Sequence, residues 1–324
     1  MAKQACPAGV LPFLHYRTAR LLMGDFDHSE RRADDGSADI IRHIYRADLQ
    51  RLLIAALEKS GGRIHTGHKL TGFTDTGAQI VARFANGETA RGELLVGADG
   101  IRSTVRAILH PGDTPRFTDH IAYRFLVPMR EAAPHMALGR SAIFIGPRRT
   151  FNRYTMCKGT VVNCAGLVET VDPVPEGWST GASKDELARV FAGWHDDVTG
   201  IIDHGSSIIK WGLYDRKPLE TWSRGRVTLL GDAAHAMLPF LGMGAAMAIE
   251  DGYILAKALN IELEPARAFR RYEAARKPRT EAVHAASIIQ GKVTQAIDPD
   301  RFKPVSAPMN NREMMAFNPV TSPI

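Results

Sequence analysis

Between residues 46 and 62 the apolar positions recur at the spacing of a helix. In RADLQRLLIAALEKSGG, Leu49, Leu52, Leu53, Ala56 and Leu57 fall at i, i+3, i+4, i+7 and i+8, and Gly61-Gly62 closes the run. That spacing predicts an amphipathic helix with a defined stop. The period then changes to two. AQIVARFANGETARGELLVGADG alternates on both sides of Asn86-Gly87, the signature of a hairpin turn. LLVGA, at 94–98, is a short unbroken apolar run, as expected of a strand covered on both faces.

Residues 115–215 keep the short period. FTDHIAYRFLVP, SAIFIGP, TFNRYTMCKG, TVVNCAGLVE and IIKWGLYDR are strand-like runs set between turn residues. SKDELARVFAGWH interrupts them as one helix, with Ser183 and Glu186 in capping-box positions. RVTLLGDAAH then returns to a buried strand, and helical spacing covers about 244–260 and about 265–295. Residues 1–40 and the tail after Pro299 carry no periodic pattern and read as irregular. The predicted architecture is α/β. A Rossmann-type domain, 1–114 with 222–297, is split by an inserted, mainly antiparallel sheet over 115–221 and followed by an irregular tail, 298–324.

Bulk properties narrow the function only a little. The 324 residues are 44% hydrophobic and 23% charged, enough to bury a sizeable core. The net charge of +6 comes without a run of five or six like charges, which argues against a nucleic-acid arm. Cys6, Cys157 and Cys164 are too few and too scattered for a disulfide framework or a metal site, so a reducing, cytoplasmic setting is expected. MAKQACPAGVLPF has no apolar h-region, and no apolar run reaches the roughly 20 residues of a membrane span.

The candidate chemistry lies at two strand ends. LLVGADG ends in Asp99-Gly100, and VTLLGD ends in Gly231-Asp232. In open α/β sheets ligands bind beyond the carboxyl ends of strands. A carboxylate there accepts hydrogen bonds from sugar or polyol hydroxyls, and an adjacent glycine lets the ligand approach the backbone. Gly242 and Gly244 precede the next helix, whose N-terminal N–H groups and dipole favour a phosphate or a polarised oxygen. Either Gly-Asp pair alone is as well read as a turn. His235, in GDAAH, is better read as a residue that holds its loop than as a reacting group.

Together the two stretches resemble fingerprints of the class A flavoprotein aromatic hydroxylases, the family of salicylate hydroxylase and para-hydroxybenzoate hydroxylase. LLVGADGIRSTVR is similar to the family's Asp-Gly fingerprint. GRVTLLGDAAHAMLPFLGMGAAMAIED is similar to its Gly-Asp fingerprint. HIYRADLQRLL, AYRFLVP, WGLYDRKPLETWSRGRV and YEAARKPR follow in the family's order, so that the resemblance spans roughly 40–292. It implies an FAD-dependent monooxygenase that uses NADPH or NADH and O2 to hydroxylate a small phenolic or salicylate-like substrate, through a flavin C4a-hydroperoxide. By the same resemblance Arg46, Leu70, Asp99, Gly231, Asp232, Gly242, Gly244 and Ala245 would bind the cofactor. Pro239 would lie beside the isoalloxazine ring, Tyr154 in the substrate pocket, and Arg124 near the domain junction. A monomer or homodimer is implied, with no metal, nucleic acid or membrane partner.

The family's opening strand, GxGxxG and helix have no counterpart before Asp99-Gly100. The expectation is therefore a chain lacking that first unit. Two alternatives stay open: a non-catalytic remnant that binds FAD weakly or not at all, and another flavin oxidoreductase of the same fold, such as an epoxidase.

Overall fold

The computed structural model describes residues 5–7, 11–23, 42–172, 174, 180–302, 314 and 316–324. The charged cluster at 25–39 and most of the tail at 303–315, both read above as irregular, lie outside the described residues. The chain divides into two compact units. One holds Met1–Arg63, Asp119–Leu213 and Lys292–Pro304; the other holds Ile64–Thr118, Tyr214–Gly291 and Val305–Ile324.

The first unit is built on an eight-stranded sheet in the order β13-β14-β9-β12-β11-β10-β2-β3. Its strands are β2 (Phe13–His15), β3 (Leu21–Met23), β9 (Arg116–Pro128), β10 (Ser141–Gly146), β11 (Arg149–Met156), β12 (Val161–Glu169), β13 (Thr180–Gly181) and β14 (Ser206–Asp215). A separate short ladder joins β1 (Cys6–Pro7) to β4 (Arg42–His43). The centre is antiparallel: Phe125 lies opposite Cys164, which lies opposite Arg153, which lies opposite Ala142. Opposed residues share a face, so one face collects Tyr123, Phe125, Phe144, Phe151, Val162 and Cys164. That face packs on Leu187, Phe191, Trp194, Val198 and Ile201. Gly166 is required by this packing, because a Cβ there would sit 2.7 Å from the Phe191 ring.

Two readings are corrected in this unit. Residues 11–23 are not irregular. β2 adds to β10 in parallel, Phe13 beside Ile143 and His15 beside Ile145, and β3 pairs back on β2. Strands of three residues are too short to show a period, and their partner lies about 130 residues away along the chain. This pairing also groups residues 1–63 with the sheet, whereas the patterning placed them with the Rossmann-type segments. SKDELARVFAGWH holds one helix as expected, α4 (Lys184–Val190), shorter than the stretch, and a further helix, α5 (Asp196–Asp203), follows with His195 as its N-cap. The short α3 (Met129–Ala132) follows β9. The Ser183 hydroxyl caps α4 by accepting from the Glu186 N–H at 3.0 Å. The Glu186 carboxylate turns instead to Tyr123 and Lys210, so half of the capping box forms. α1 (Arg46–Lys59) is helical as predicted, but none of its residues is buried, and Leu53 is 50% exposed.

The second unit carries two three-stranded sheets. β5 (Leu70–Asp75), β6 (Ile80–Phe84) and β7 (Thr89–Gly92) form an antiparallel meander, with Asn86-Gly87 in the predicted hairpin. β8 (Leu95–Gly97) and β16 (Val227–Leu229) pair in parallel, and β15 (Ser223–Arg224) pairs with β16. Around them lie α2 (Thr104–Leu109), α6 (Asp232–His235), α7 (Gly244–Ile261) and α8 (Pro265–Thr294). Val105, Leu109, Trp222, Val227, Leu229, Ile254, Leu255, Phe269 and Tyr272 form the core. Tyr272 also donates its hydroxyl to the Leu229 carbonyl at 3.2 Å, which satisfies the polar end of a fully buried ring and holds α8 to β16.

Candidate functional site

β8 and β16 run side by side, Gly97 opposite Leu229, so their carboxyl ends deliver Asp99-Gly100 and Gly231-Asp232 to the same edge of the sheet. The Leu230 N–H donates to the Gly97 carbonyl at 2.9 Å and keeps the two exits together. What each aspartate does there differs. Asp99 is spent locally: it accepts from the Ser103 hydroxyl at 2.5 Å and from the Thr104 N–H at 2.7 Å. Ser103 in turn accepts from the Arg106 N–H at 2.8 Å, a two-residue cap on α2. Asp232 is exposed at the first turn of α6, and among the described residues no side chain pairs with its carboxylate.

Glycine geometry shapes the second exit. Gly231 has φ 62° and ψ −139°, a conformation that L side chains rarely adopt, and a Cβ there would lie 3.1 Å from the Ala248 Cβ. After α6 the chain turns through Pro239, which is exposed, and through Gly242 in the left-handed region at φ 66°. α7 then starts at Gly244 with no side-chain cap, so its first N–H groups have no intrahelical acceptor. No atom lies within 4 Å of where a Cβ of Gly242 or Gly244 would be, and Ala245 is exposed. An open, uncapped helix start stands close in sequence to an unengaged carboxylate. That is a donor set for an anionic oxygen beside an acceptor for hydroxyls.

Arg106 resolves differently from a surface charge or a ligand contact. Its side chain is fully buried. Nε donates to Asp113 at 2.6 Å, one terminal nitrogen to the carbonyls of Ala233 and Ala234 at 3.1 and 2.8 Å, and the other to Lys217 O at 3.1 Å. Burial alone would raise the Asp113 carboxyl, but Arg106 and Arg216 outweigh it and hold it below the ordinary carboxylate range. Arg106 thus anchors the carbonyl end of α6. His235 donates from Nε2 to the Asp251 carboxylate at 2.6 Å and so holds its loop.

The remaining candidates sit elsewhere. Leu70 opens β5, an edge strand, opposite Phe84 and just before a register shift. Arg46, exposed at the first residue of α1, and Tyr154 belong to the first unit. Tyr154 lies on the sheet face away from the α4–α5 core, opposite Asn163 and Ser141. The His43 ring tilts over it at 4.3 Å. Arg124 reaches the same face, bonding Asn163 Oδ1 through Nε at 2.9 Å. Burial raises the Tyr154 phenol, and the nearby Arg124 opposes the shift. Asn163 is completely buried.

Sequence reasoning did not find Asp251, Arg276 or Arg279. A signal existed. Met247, Asp251, Ile254, Leu255 and Ala258 form one helical stripe, all buried, and a carboxylate within it predicts a buried cation opposite.

The profile of a known family, the FAD binding domain, matches residues 14–287. The chain belongs to that family. It is 36% identical over 249 residues to 3-amino-4-hydroxybenzoate 2-monooxygenase of Streptomyces platensis, a match that covers 76% of this chain and 62% of that protein. It is 35% identical to 6-hydroxynicotinate 3-monooxygenase of Pseudomonas fluorescens, covering 75% of this chain and 64% of the relative. The chain thus spans somewhat under two thirds of the length of these relatives. A solved salicylate hydroxylase in complex with substrate superposes with a TM-score of 0.76 at 26% identity, over 93% of this chain and 76% of that one. The α/β fold with an inserted sheet is the fold of that structure.

Proposed function

From membership of the FAD-binding family we propose that this chain is the flavin-bearing part of an aromatic-ring monooxygenase, dependent on FAD, on NADPH or NADH and on O2. One observation carries the reading: the exposed, unengaged Asp232 stands at the end of a parallel strand pair, followed by the uncapped, glycine-opened start of α7. The residues fit the cofactor. The Asp232 carboxylate would accept hydrogen bonds from polyol hydroxyls, and the N–H groups of Gly244 and Ala245 would donate to an oxygen that bears negative charge. Gly242 keeps the backbone open to close approach, and Gly231 permits the tight turn beside Ala248. Pro239 would offer a flat apolar surface to a ring, and Leu70 would meet the nucleotide portion. Asp99, whose carboxylate caps α2, acts there through the helix start that it fixes.

When bound, FAD would supply the redox chemistry by which the pyridine nucleotide's two electrons and O2 give a hydroxylated ring and water. The chain's own residues bind and orient. On the sheet face that carries Tyr154, Arg124 would pair with an anionic group of the substrate, and the Tyr154 hydroxyl would fix its phenolic oxygen. The relatives named above act on hydroxylated, carboxylated rings, which supports a phenolic or salicylate-like substrate here. No described helix is long and apolar enough to cross a membrane, and the three cysteines are free. The proposal extends to a cytoplasmic enzyme that works as a monomer or homodimer.

The test starts from the visible absorbance of the purified protein titrated with FAD. The flavin bands should survive desalting, and phenolic acids should stimulate NAD(P)H oxidation with one hydroxylated product formed per nucleotide consumed. Asp232→Ala should lose flavin retention. Flavin retention unchanged in Asp232→Ala would remove the assignment of this turn.

A further inference from the structure

We infer that Asp251 is the positioning residue of the Gly231-Asp232 turn, the buried carboxylate that holds this turn in the form a cofactor polyol can use. The inference rests on the reading of that turn as part of the flavin site. α6 has four residues, too few to keep its own shape, so its geometry is imposed from outside. Its amino end is set by Asp251, which is wholly buried. One Asp251 oxygen accepts from the Gly231 N–H at 3.0 Å and pairs with His235 Nε2 at 2.6 Å. The other accepts from Arg276 Nε at 2.7 Å. The same carboxylate therefore ties together the residue before Asp232, the last residue of α6, helix α7 and helix α8.

The cluster is closed and nearly balanced in charge. Arg276 also pairs with Glu250 at 2.8 Å, and Glu250 takes both Nε and a terminal nitrogen of Arg279 at 2.8 and 2.9 Å. The Phe317 ring lies 4.3 Å from the Arg279 guanidinium carbon and 5.2 Å from that of Arg276. At the carbonyl end of α6, Arg106 holds Ala233 and Ala234. The turn is thus fixed through its N–H and through its C=O groups, while Asp232 between them points out unengaged. A frame held at both ends in this way, around one exposed carboxylate, suits a ligand that must be met without rearrangement. An amide at 251 has a single acceptor oxygen and no charge. It cannot serve Gly231, His235 and Arg276 at once, so the turn loosens even where the fold survives.

Asp251→Asn is tested in the full chain beside Asp197→Asn, which breaks a buried ion pair with Arg153 in the other unit. Two quantities are read: the Kd for FAD, from quenching of flavin fluorescence, and the Gly231 amide proton in the nuclear magnetic resonance spectrum. In the wild type that proton should be shifted downfield by its carboxylate acceptor and protected from exchange. Asp251→Asn should remove both signatures and raise Kd at least tenfold, while Asp197→Asn leaves Kd within twofold. If Asp251→Asn does not fold, His235→Gln supplies the comparison, with a smaller rise in Kd and a shifted Gly231 signal. An unchanged Kd in a folded Asp251→Asn, or an unshifted, rapidly exchanging Gly231 amide in the wild type, overturns the inference. Failure of the wild type to bind FAD removes the cofactor reading instead, and the Gly231 amide still decides whether Asp251 holds the turn.

Discussion

Replacing Gly231 by alanine adds one methyl group at the point where the candidate site is most tightly constrained. At φ 62° and ψ −139° an L residue is strained by about 1–3 kcal/mol. The new Cβ would also lie 3.1 Å from the Ala248 Cβ, inside the ordinary 3.5–4.0 Å separation of carbon atoms, and relieving that contact costs roughly 1 kcal/mol more. The stiffer unfolded chain returns about 0.4–1 kcal/mol. The net loss is roughly 2–3 kcal/mol, or about 5–10 °C in Tm for a domain of 150–250 residues.

Urea and thermal unfolding of Gly231→Ala measure that loss. Ala248→Gly divides it into parts. Removing the Ala248 methyl relieves the contact and leaves the dihedral strain, so in a double-mutant cycle the coupling should stay at about 1 kcal/mol or below. The single change Ala248→Gly sets the helix-propensity baseline at about 1 kcal/mol. A Gly231→Ala protein within about 0.5 kcal/mol of the wild type would refute the strained-turn reasoning. So would complete rescue by Ala248→Gly, because the whole effect would then be contact and none of it backbone.

Three further outcomes follow from the same geometry. Arg106→Met should cost about 3–5 kcal/mol in denaturant unfolding, because it strands the buried Ala233 and Ala234 carbonyls and leaves Asp113 with Arg216 as its one arginine partner; Arg106→Lys should recover little, lacking the planar fork. Acid should destabilise the protein in two stages. Burial lowers the His284 pKa, so the native state is penalised as pH falls below about 6.5, and His284→Gln should flatten part of that slope between about pH 5 and 7. Burial alone would raise Asp251, but His235 and Arg276 outweigh it; Asp113 and Asp251 are both depressed, so their contribution is intact above about pH 4 and is lost below it, which an unchanged stability between pH 4 and 2 would contradict. Leu53→Lys on the open face of α1 should change unfolding free energy by under about 0.5 kcal/mol, since the side chain is already 50% exposed; a loss above 1 kcal/mol would show that this face is covered.

The elements that could be read from the chain are those whose period repeats for two turns or more, or whose turn chemistry is local. The α1 spacing, the Asn86-Gly87 hairpin and the α7 and α8 stripes meet that condition. β2 does not: three residues have no measurable period, and their partner β10 is remote in sequence. α5 was missed because its N-cap is His195, a residue that rarely signals a start, although Gly193 at φ 74° marks the turn between α4 and α5. In the site, carboxylates at strand ends are visible as a pattern, but the pattern does not say which one is occupied. Asp99 and Asp232 look alike in sequence. The difference comes from Ser103 and Thr104, which engage the first, and from Asp251, which holds Gly231 and leaves the second unengaged. Asp251 was itself legible in principle, as an acid that with Glu250 breaks the buried set of Met247, Ile254, Leu255 and Ala258. A charge in an apolar stripe implies a partner that must also be buried, and α8 supplies it at Arg276, on the stripe of Phe269, Tyr272 and Val283. A search for such paired violations of two helical stripes would have located the frame of this site before any coordinates did, because burying either charge without the other costs several kcal/mol.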